Sequence, residues 1–375
     1  MKIGIDSRAA KLYRGTGIGT YTYQLINCLN KIDSINKYLL FIPKNCTYNI
    51  PLKSNFCVND IIDDNKNNFW DEVNIPNILK NKDIELYHVP QNGIGLPEDK
   101  NCNFVITLHD IIPYKMPETV SKNYLKIFRE KIPQILPKCD GIITVSNYSK
   151  QDIIKTLNFP ADKIYVTHLA AEEIYKPIDK LVSKNVIKKF YSINDDFILY
   201  VGGFSPRKNI LGLINAFNIF SCKYKKNIKL VIAGRRGPSY SIYKERVHKL
   251  NIDDKVIFPG FISIEHLPYL YNAAELFVYP SFYEGFGLPP IEAMSCGIPV
   301  IASNTTSIPE VANGSALLVD PNNTELLSEL ILKVILDEKL KNKLITLGLA
   351  RASGLTWQKT ARNTLIAYNK VLNKL

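Results

Sequence analysis

The chain has 375 residues, 46% apolar, 10% aromatic and 22% charged, which describes a globular protein without long disorder and, at about 150 residues per domain, one built as two units. A formal charge of +12 attracts phosphorylated small molecules, nucleic acid or an anionic membrane surface alike, while the scattering of lysine along the chain fits plain compositional bias as well. Seven cysteines without a CxxC pair argue against a disulfide framework or structural zinc and fit a reducing cytoplasm, and no apolar window approaches the roughly 18 to 20 residues of a membrane-spanning helix.

The opening MKIGIDSRAA has one basic residue ahead of an apolar run broken by Asp6, too little for a signal peptide, and predicts a strand over 2–6. In RGTGIGTYTYQLINCL, Gly15, Gly17 and Gly19 precede an amphipathic helical run; their amides suit an anionic ligand, although the spacing is not G-x-G-x-x-G and a tight turn explains it equally. Further strands are expected at 38–42, 84–89, 104–108, 141–145 and 164–168, with helices between them. His109 and Asp110 stand at the carboxyl end of one of these, where open α/β sheets place ligand-contacting groups. A satisfied structural histidine and a capping aspartate are the plainer alternatives. The charged stretch EEIYKPIDKLVSKN contains Pro177 and marks a linker over 176–185, dividing 1–177 from 178–356.

The second half repeats the alternation, with strands expected at 197–201, 229–233, 256–258, 276–279, 299–302 and 316–319. The fold class is therefore α/β, two doubly wound parallel-sheet units with a ligand cleft expected between them at the strand ends. After the strand FILYV come Gly202 and Gly203, then Arg207 and Lys208 at the expected start of a helix. Two cations where a helix dipole is already positive conflict, and a bound diphosphate resolves the conflict; solvated surface charge is the alternative. The stretch PSFYEGFGLPPIEAMSCGIPVIAS places Gly285 and Gly287 in a loop and Pro289 and Pro290 at a helix start that Gly297 ends. Glu292 then falls in the first turn, where hydroxyls beside a phosphate are its natural partners and dipole complementation is the alternative. Glu284, ahead of the glycines, faces a second set of hydroxyls or solvent. No D-x-D triplet occurs, and the acidic doublets at 63–64, 195–196 and 253–254 are not presented by glycine loops, so no divalent metal and no separate cofactor is expected.

Together GGFSPRKN, the glutamates spaced E-x7-E in the 280–303 stretch, SIPEVANGSALLVDP and HDIIP resemble the retaining glycosyltransferases of family 4, with the GT-B fold of two Rossmann-like units. The resemblance is dense over the second half and sparser over the first. It implies a nucleotide-diphosphate sugar held by the second unit and a glycan or lipid-linked acceptor held by the first. It assigns Arg207 and Lys208 to the diphosphate, Glu292 to the ribose hydroxyls, and Glu284, with the backbone at Gly203, Gly285, Phe286, Gly287 and Leu288, to the donor sugar. His109 is assigned to the reacting sugar, Gly17 and its loop to the phosphates, Gly260 and Phe261 to the base, and Glu310 to a recurrent position of structural character. The loop G-T-G-I-G is the variant seen among mannosyltransferase-like members and favours GDP-mannose; the segment 357–375 resembles the terminal helix that packs back on the first unit. The implied setting is cell-surface polysaccharide synthesis, without nucleic acid, in the cytoplasm and peripherally at the inner face of an anionic membrane. A nucleotide-sugar epimerase of the same build, a noncatalytic nucleotide-sugar-binding subunit and, least of all, a nicotinamide enzyme are the competing classes.

Overall fold

The computed structural model describes residues 1–43, 51–61 and 82–374. Met1–Leu169 with Thr356–Leu375 forms one unit and Ala170–Leu355 a second. The acidic doublet at 63–64 lies outside the described residues.

In the first unit the strands are β1 (Lys2–Asp6), β2 (Lys37–Pro43), β3 (Phe56–Ile61), β4 (Leu86–Val89), β5 (Asn103–Thr107), β6 (Gly141–Thr144) and β7 (Ile164–Val166). They pair in parallel in the order β3-β2-β1-β4-β5-β6-β7. A parallel sheet is covered on both faces, and so its central strands are apolar throughout. Phe104 and Ile106 of β5 and Ile142 of β6 are fully buried against Phe128 and Ile132 of the helix Lys122–Ile135. The sequence pattern did not foresee β3. It pairs with β2 at the end of the described sheet, has Asn59 and Asp60 in its midst and leaves Val58 exposed, so it lacks the continuous apolar run that marks the inner strands.

The second unit holds β8 (Phe197–Val201), β9 (Lys229–Ala233), β10 (Val256–Gly260), β11 (Leu276–Tyr279), β12 (Val300–Ser303) and β13 (Leu317–Val319), all parallel, in the order β10-β9-β8-β11-β12-β13. The chain enters it at Ala170, ahead of the charged stretch around Pro177. That stretch is already part of the second unit because Asn272 grips it from both sides, donating to the Lys176 carbonyl at 3.0 Å and accepting from the Ile178 amide at 2.8 Å.

The helix Trp357–Val371 belongs to the first unit through a buried polar chain. The Tyr368 hydroxyl meets His88 Nδ1 at 2.7 Å, His88 Nε2 meets the Thr107 hydroxyl at 2.8 Å, and that hydroxyl meets the Tyr21 phenol at 2.9 Å. Gly141 of β6 lets the helix come close, since a Cβ there would lie 2.7 Å from Val371 Cγ2. Burial, helped by the field of His109, holds His88 neutral with its pKa lowered to about 3. A depressed histidine pKa means the native state contributes full stability above the unfolded value of about 6.5 and loses it as pH falls toward 3. Tyr368→Phe strands His88 Nδ1 in a site without solvent and is expected to lower stability by about 1–3 kcal/mol in urea unfolding at pH 7. An unchanged unfolding midpoint would show that the hydrogen bond does not hold the helix.

Candidate active site

Three adjacent strands of the second unit finish on glycine. Gly202 follows β8, Gly234 follows β9, and Gly260 ends β10. The Gly202 amide donates to the Ala233 carbonyl at 3.0 Å and the Gly234 amide to the Gly260 carbonyl at 2.9 Å. A Cβ on Gly234 would sit 1.9 Å from the Gly202 carbonyl oxygen, so only glycine lets these turns lie side by side. Gly203 is exposed with open space before it, and Phe261, directly after Gly260, is also exposed. Gly234 escaped notice in the sequence because a lone glycine after an apolar run is an ordinary strand end.

Arg207 and Lys208 lie in a short 3-10 turn, Pro206–Lys208, rather than in the helix start itself. Asn209, in the left-handed region at φ 54°, caps the helix Ile210–Lys223 by accepting from the Gly212 amide at 3.2 Å, and ties the turn down by donating to the Pro321 carbonyl at 2.7 Å. Both cations therefore stand one turn ahead of the helix and face the loop that follows β11.

That loop brings Glu284 to them. Lys208 Nζ donates to Glu284 Oε1 at 2.6 Å and to the Tyr279 hydroxyl at 2.6 Å. Arg207 Nη1 donates to Glu284 Oε2 at 3.0 Å and to the Tyr283 carbonyl at 2.9 Å, and the Phe282 amide returns a bond to the Arg207 carbonyl at 2.8 Å. Burial alone would raise the Glu284 pKa, but the charges of Lys208 and Arg207 override it and hold the carboxyl at about 2. The charge conflict that sequence reasoning left for a diphosphate to resolve is met, in the protein alone, by this carboxylate.

The loop is fixed from the segment after β12, by Thr306 and by Ser307, the first residue of the SIPEVANGSALLVDP stretch, whose hold on Glu284 had no signal in the sequence. The Glu284 amide donates to the Thr306 hydroxyl at 3.1 Å, while Ser307 Oγ donates to the carbonyls of Glu284 and Phe286 at 2.9 and 3.0 Å. Thr306 has φ 54°, a conformation that costs a β-branched residue about 1–3 kcal/mol, so packing holds strain where it positions Glu284. β8 and β11 are the sheet neighbours at which strand order reverses, the place where open α/β sheets bind ligands beyond their carboxyl ends.

Gly287, at φ 99°, caps the helix Leu288–Ser295, and Gly297 at φ 74° follows its end. Proline at 289 and 290 has no N–H, so of the first four residues only Leu288 and the later Ile291 amide bring donors toward an anion. The helix start is therefore a weaker anion site than its dipole suggests, and the cationic side chains carry more of the charge. Glu292 is not in the first turn as expected. The helix begins at Leu288, one residue before the prolines, which moves Glu292 into the second turn and removes dipole complementation as its reason. It is held apart from the Arg207–Lys208–Glu284 group, with its Oε2 accepting from the Tyr271 hydroxyl at 2.8 Å. Burial raises its pKa to about 7, Glu172 adds to the rise, and hydrogen bonds from Tyr271 and Tyr175 oppose it.

In the first unit His109 is buried two residues after the end of β5. Its Nε2 lies 3.0 Å from the Pro90 carbonyl, which fixes the proton there and leaves Nδ1 the lone pair, and its ring meets Tyr21 edge-on at 4.8 Å. Burial lowers its pKa to about 4 against the opposing Pro90 carbonyl, so it is neutral at pH 7. Asp110 caps the next turn by accepting from the Ile112 amide at 3.0 Å. Gly17 opens the helix Gly17–Ile32, capped by Thr16, and a Cβ on Gly19 would lie 1.9 Å from the Tyr13 carbonyl oxygen. Glu310 offers its backbone carbonyl to Arg351 at 3.0 Å.

Residues 183–349 match the family model of glycosyl transferases group 1, and residues 46–171 match that of glycosyltransferase family 4. The O-antigen chain mannosyltransferase B of Escherichia coli is 37% identical over 264 residues, covering 70% of this chain and 69% of that protein. The chain belongs to the family 4 glycosyltransferases. The serotype-specific mannosyltransferase WbdA of Escherichia coli is 30% identical over 294 residues, which span 76% of this glycosyltransferase and 36% of that longer protein. Among solved structures, the sucrose-phosphate synthase of Thermosynechococcus elongatus matches with a TM-score of 0.76 at 21% identity, over 100% of both chains, and its likeness establishes the GT-B fold of this glycosyltransferase.

The Glu284 carboxylate of the glycosyltransferase is ionised only because two cations face it. A depressed carboxyl pKa gives stability that is complete above the unfolded value of about 4.5 and is lost as pH falls toward 2. Glu284→Gln is therefore expected to lower stability by about 3–5 kcal/mol at pH 7, with the two proteins converging near pH 2 in thermal melts. Parallel curves across that range would deny the pairing.

Proposed function

We propose that the chain is a retaining, metal-independent mannosyltransferase that moves mannose from GDP-mannose to a glycan or lipid-linked acceptor in cell-surface polysaccharide synthesis. The observation that carries the donor half of this reading is the convergence of Arg207 and Lys208 on Glu284 at the strand-order reversal of the second unit. The sugar is taken from the names of the E. coli relatives, both mannosyltransferases.

Transfer breaks the bond from the anomeric carbon to the diphosphate, so negative charge grows on the leaving phosphate and positive charge on the sugar. Arg207 and Lys208 are fixed cations in partly dry surroundings, suited to the leaving charge, and the bound diphosphate takes them over from Glu284. Glu284 then turns its lone pairs to donor hydroxyls. Before the donor binds, Lys208 and Arg207 hold its pKa at about 2, which suits it to accept hydrogen bonds from an arriving donor. The acceptor hydroxyl attacks from the face the diphosphate leaves, which keeps the anomeric configuration, and the leaving phosphate takes its proton. His109, neutral at pH 7, has a hydrogen-bonding role here. Gly203, Gly285, Phe286, Gly287 and Leu288 supply close backbone to the donor, Gly17 and its loop to the phosphates, and Gly260 with the exposed Phe261 ring a face for the base.

Metal independence rests on Arg207 and Lys208 as the positive charges that would meet the diphosphate. We place the protein in the cytoplasm, with peripheral contact to an anionic membrane that the surplus of basic residues favours. None of the described helices is long and apolar enough to cross a membrane.

GDP-mannose at about 100 times its dissociation constant is expected to stabilise the protein by about 2.7 kcal/mol, more than UDP-, ADP- or dTDP-sugars at equal concentration. Arg207→Ala or Lys208→Ala should each lower kcat about 10²- to 10³-fold in a radiolabelled-mannose transfer assay, and EDTA should leave the wild-type rate unchanged. Undiminished kcat in both variants would overturn the donor site, and loss of rate in EDTA restored by magnesium would overturn metal independence.

A further inference from the structure

Glu292 sits in a pocket of phenols in the second unit. Tyr271, on the helix Leu267–Ala273, is fully buried and donates its hydroxyl to Glu292 Oε2 at 2.8 Å. Its ring meets Tyr175 edge-on, with centroids 5.7 Å apart, and packs tilted against Phe277 of β11 at 5.5 Å. Tyr175 supplies a second hydrogen bond to the same carboxyl. The segment bearing Tyr175 is held beside the Tyr271 helix by Asn272, next in sequence, through the Lys176 and Ile178 backbone. The other titratable groups facing the carboxyl are Glu172, from the segment before Tyr175, and the Cys296 thiol at the end of Glu292's own helix.

We propose that Tyr271 and Tyr175 are positioning residues for the donor: their hydroxyls aim the Glu292 carboxylate and hold it charged against the like charge of Glu172, so that it can accept hydrogen bonds from the sugar-nucleotide's vicinal hydroxyls. This rests on the reading of Glu292 as a donor contact. A carboxylate buried near a second carboxylate is otherwise driven toward the protonated form, which has fewer acceptor sites for a diol. Phenol donors oppose that drift because they bond the charged form more strongly than the neutral one. The arrangement also accounts for the buried Tyr271 hydroxyl on a helix whose other buried polar side chain, Asn272, is engaged with the Lys176 and Ile178 backbone.

The test is the pH profile of KM for GDP-mannose in wild type, Tyr271→Phe, Tyr175→Phe and Glu292→Gln, with kcat and melting temperature read beside it. In wild type KM should fall as pH rises through about 7, where Glu292 ionises. Tyr271→Phe keeps the ring and removes one charge-stabilising hydrogen bond, so the inflection should move up by about one pH unit, with KM at pH 7 rising about fivefold and kcat changing little. Tyr175→Phe should shift it in the same direction, and it carries the test if the Tyr271 variant does not fold. Glu292→Gln should raise KM and abolish the inflection. Unshifted inflections in both phenylalanine variants, beside an impaired Glu292→Gln, would overturn the positioning role and leave the donor contact standing. A wild-type KM and pH profile in Glu292→Gln would remove the donor contact itself, and the positioning role with it.

Discussion

A buried carboxylate facing two cations is the constraint around which the second unit is arranged. Glu284 has almost no solvent and would be driven to its neutral form if Lys208 and Arg207 were not within hydrogen-bond distance of its two oxygens. Removing any partner of such a group leaves an uncompensated buried charge, which costs far more than the intact set contributes. The surroundings accordingly fix all three. Asn209 ties the cationic turn to Pro321, Tyr279 engages the Lys208 ammonium, and Thr306 accepts from the Glu284 amide in a backbone conformation that is itself strained. Strain and concentrated charge at one strand-order reversal suit the role proposed for it, meeting a leaving diphosphate with dipoles aimed before the reaction begins.

The same logic separates the two glutamates of the E-x7-E motif. Glu284 is charged because cations surround it, while Glu292 is held by phenols near the point where it titrates. One carboxylate is therefore insensitive to pH over the physiological range and the other is not. Two residues eight positions apart differ in this way because a helix start lies between them: Glu284 stays in the loop with Arg207 and Lys208, and Glu292 is carried onto a helical face toward Tyr271.

Much of this was legible in the sequence. The alternating apolar runs marked twelve of the thirteen described strands because inner parallel strands are apolar on both faces, and β3 escaped because a strand with a single described neighbour can keep polar residues. Arg207, Lys208 and Glu284 were visible as charges beside glycine turns at strand ends, a position that rarely holds charge without reason. The supports were not. Thr306 and Ser307 lie more than twenty positions from Glu284, and Tyr279 and Tyr271 read as apolar core because only their hydroxyl oxygens reach a charge. The helix boundary at Leu288 was missed by one residue, which sufficed to move Glu292 by a turn. Asn272 drew the unit boundary ahead of the charged stretch that composition favoured, and a side chain gripping two backbone groups leaves no pattern in sequence.

The account turns on where a diphosphate goes. A crystal structure with bound GDP-mannose, or with GDP, tests this most directly. The account predicts phosphate oxygens about 2.7–3.2 Å from both Arg207 and Lys208, beyond the ends of β8 and β11, with the Glu284 carboxylate released from at least one of them. A nucleotide bound while both cations remain paired to Glu284, its phosphates lying elsewhere, would contradict it.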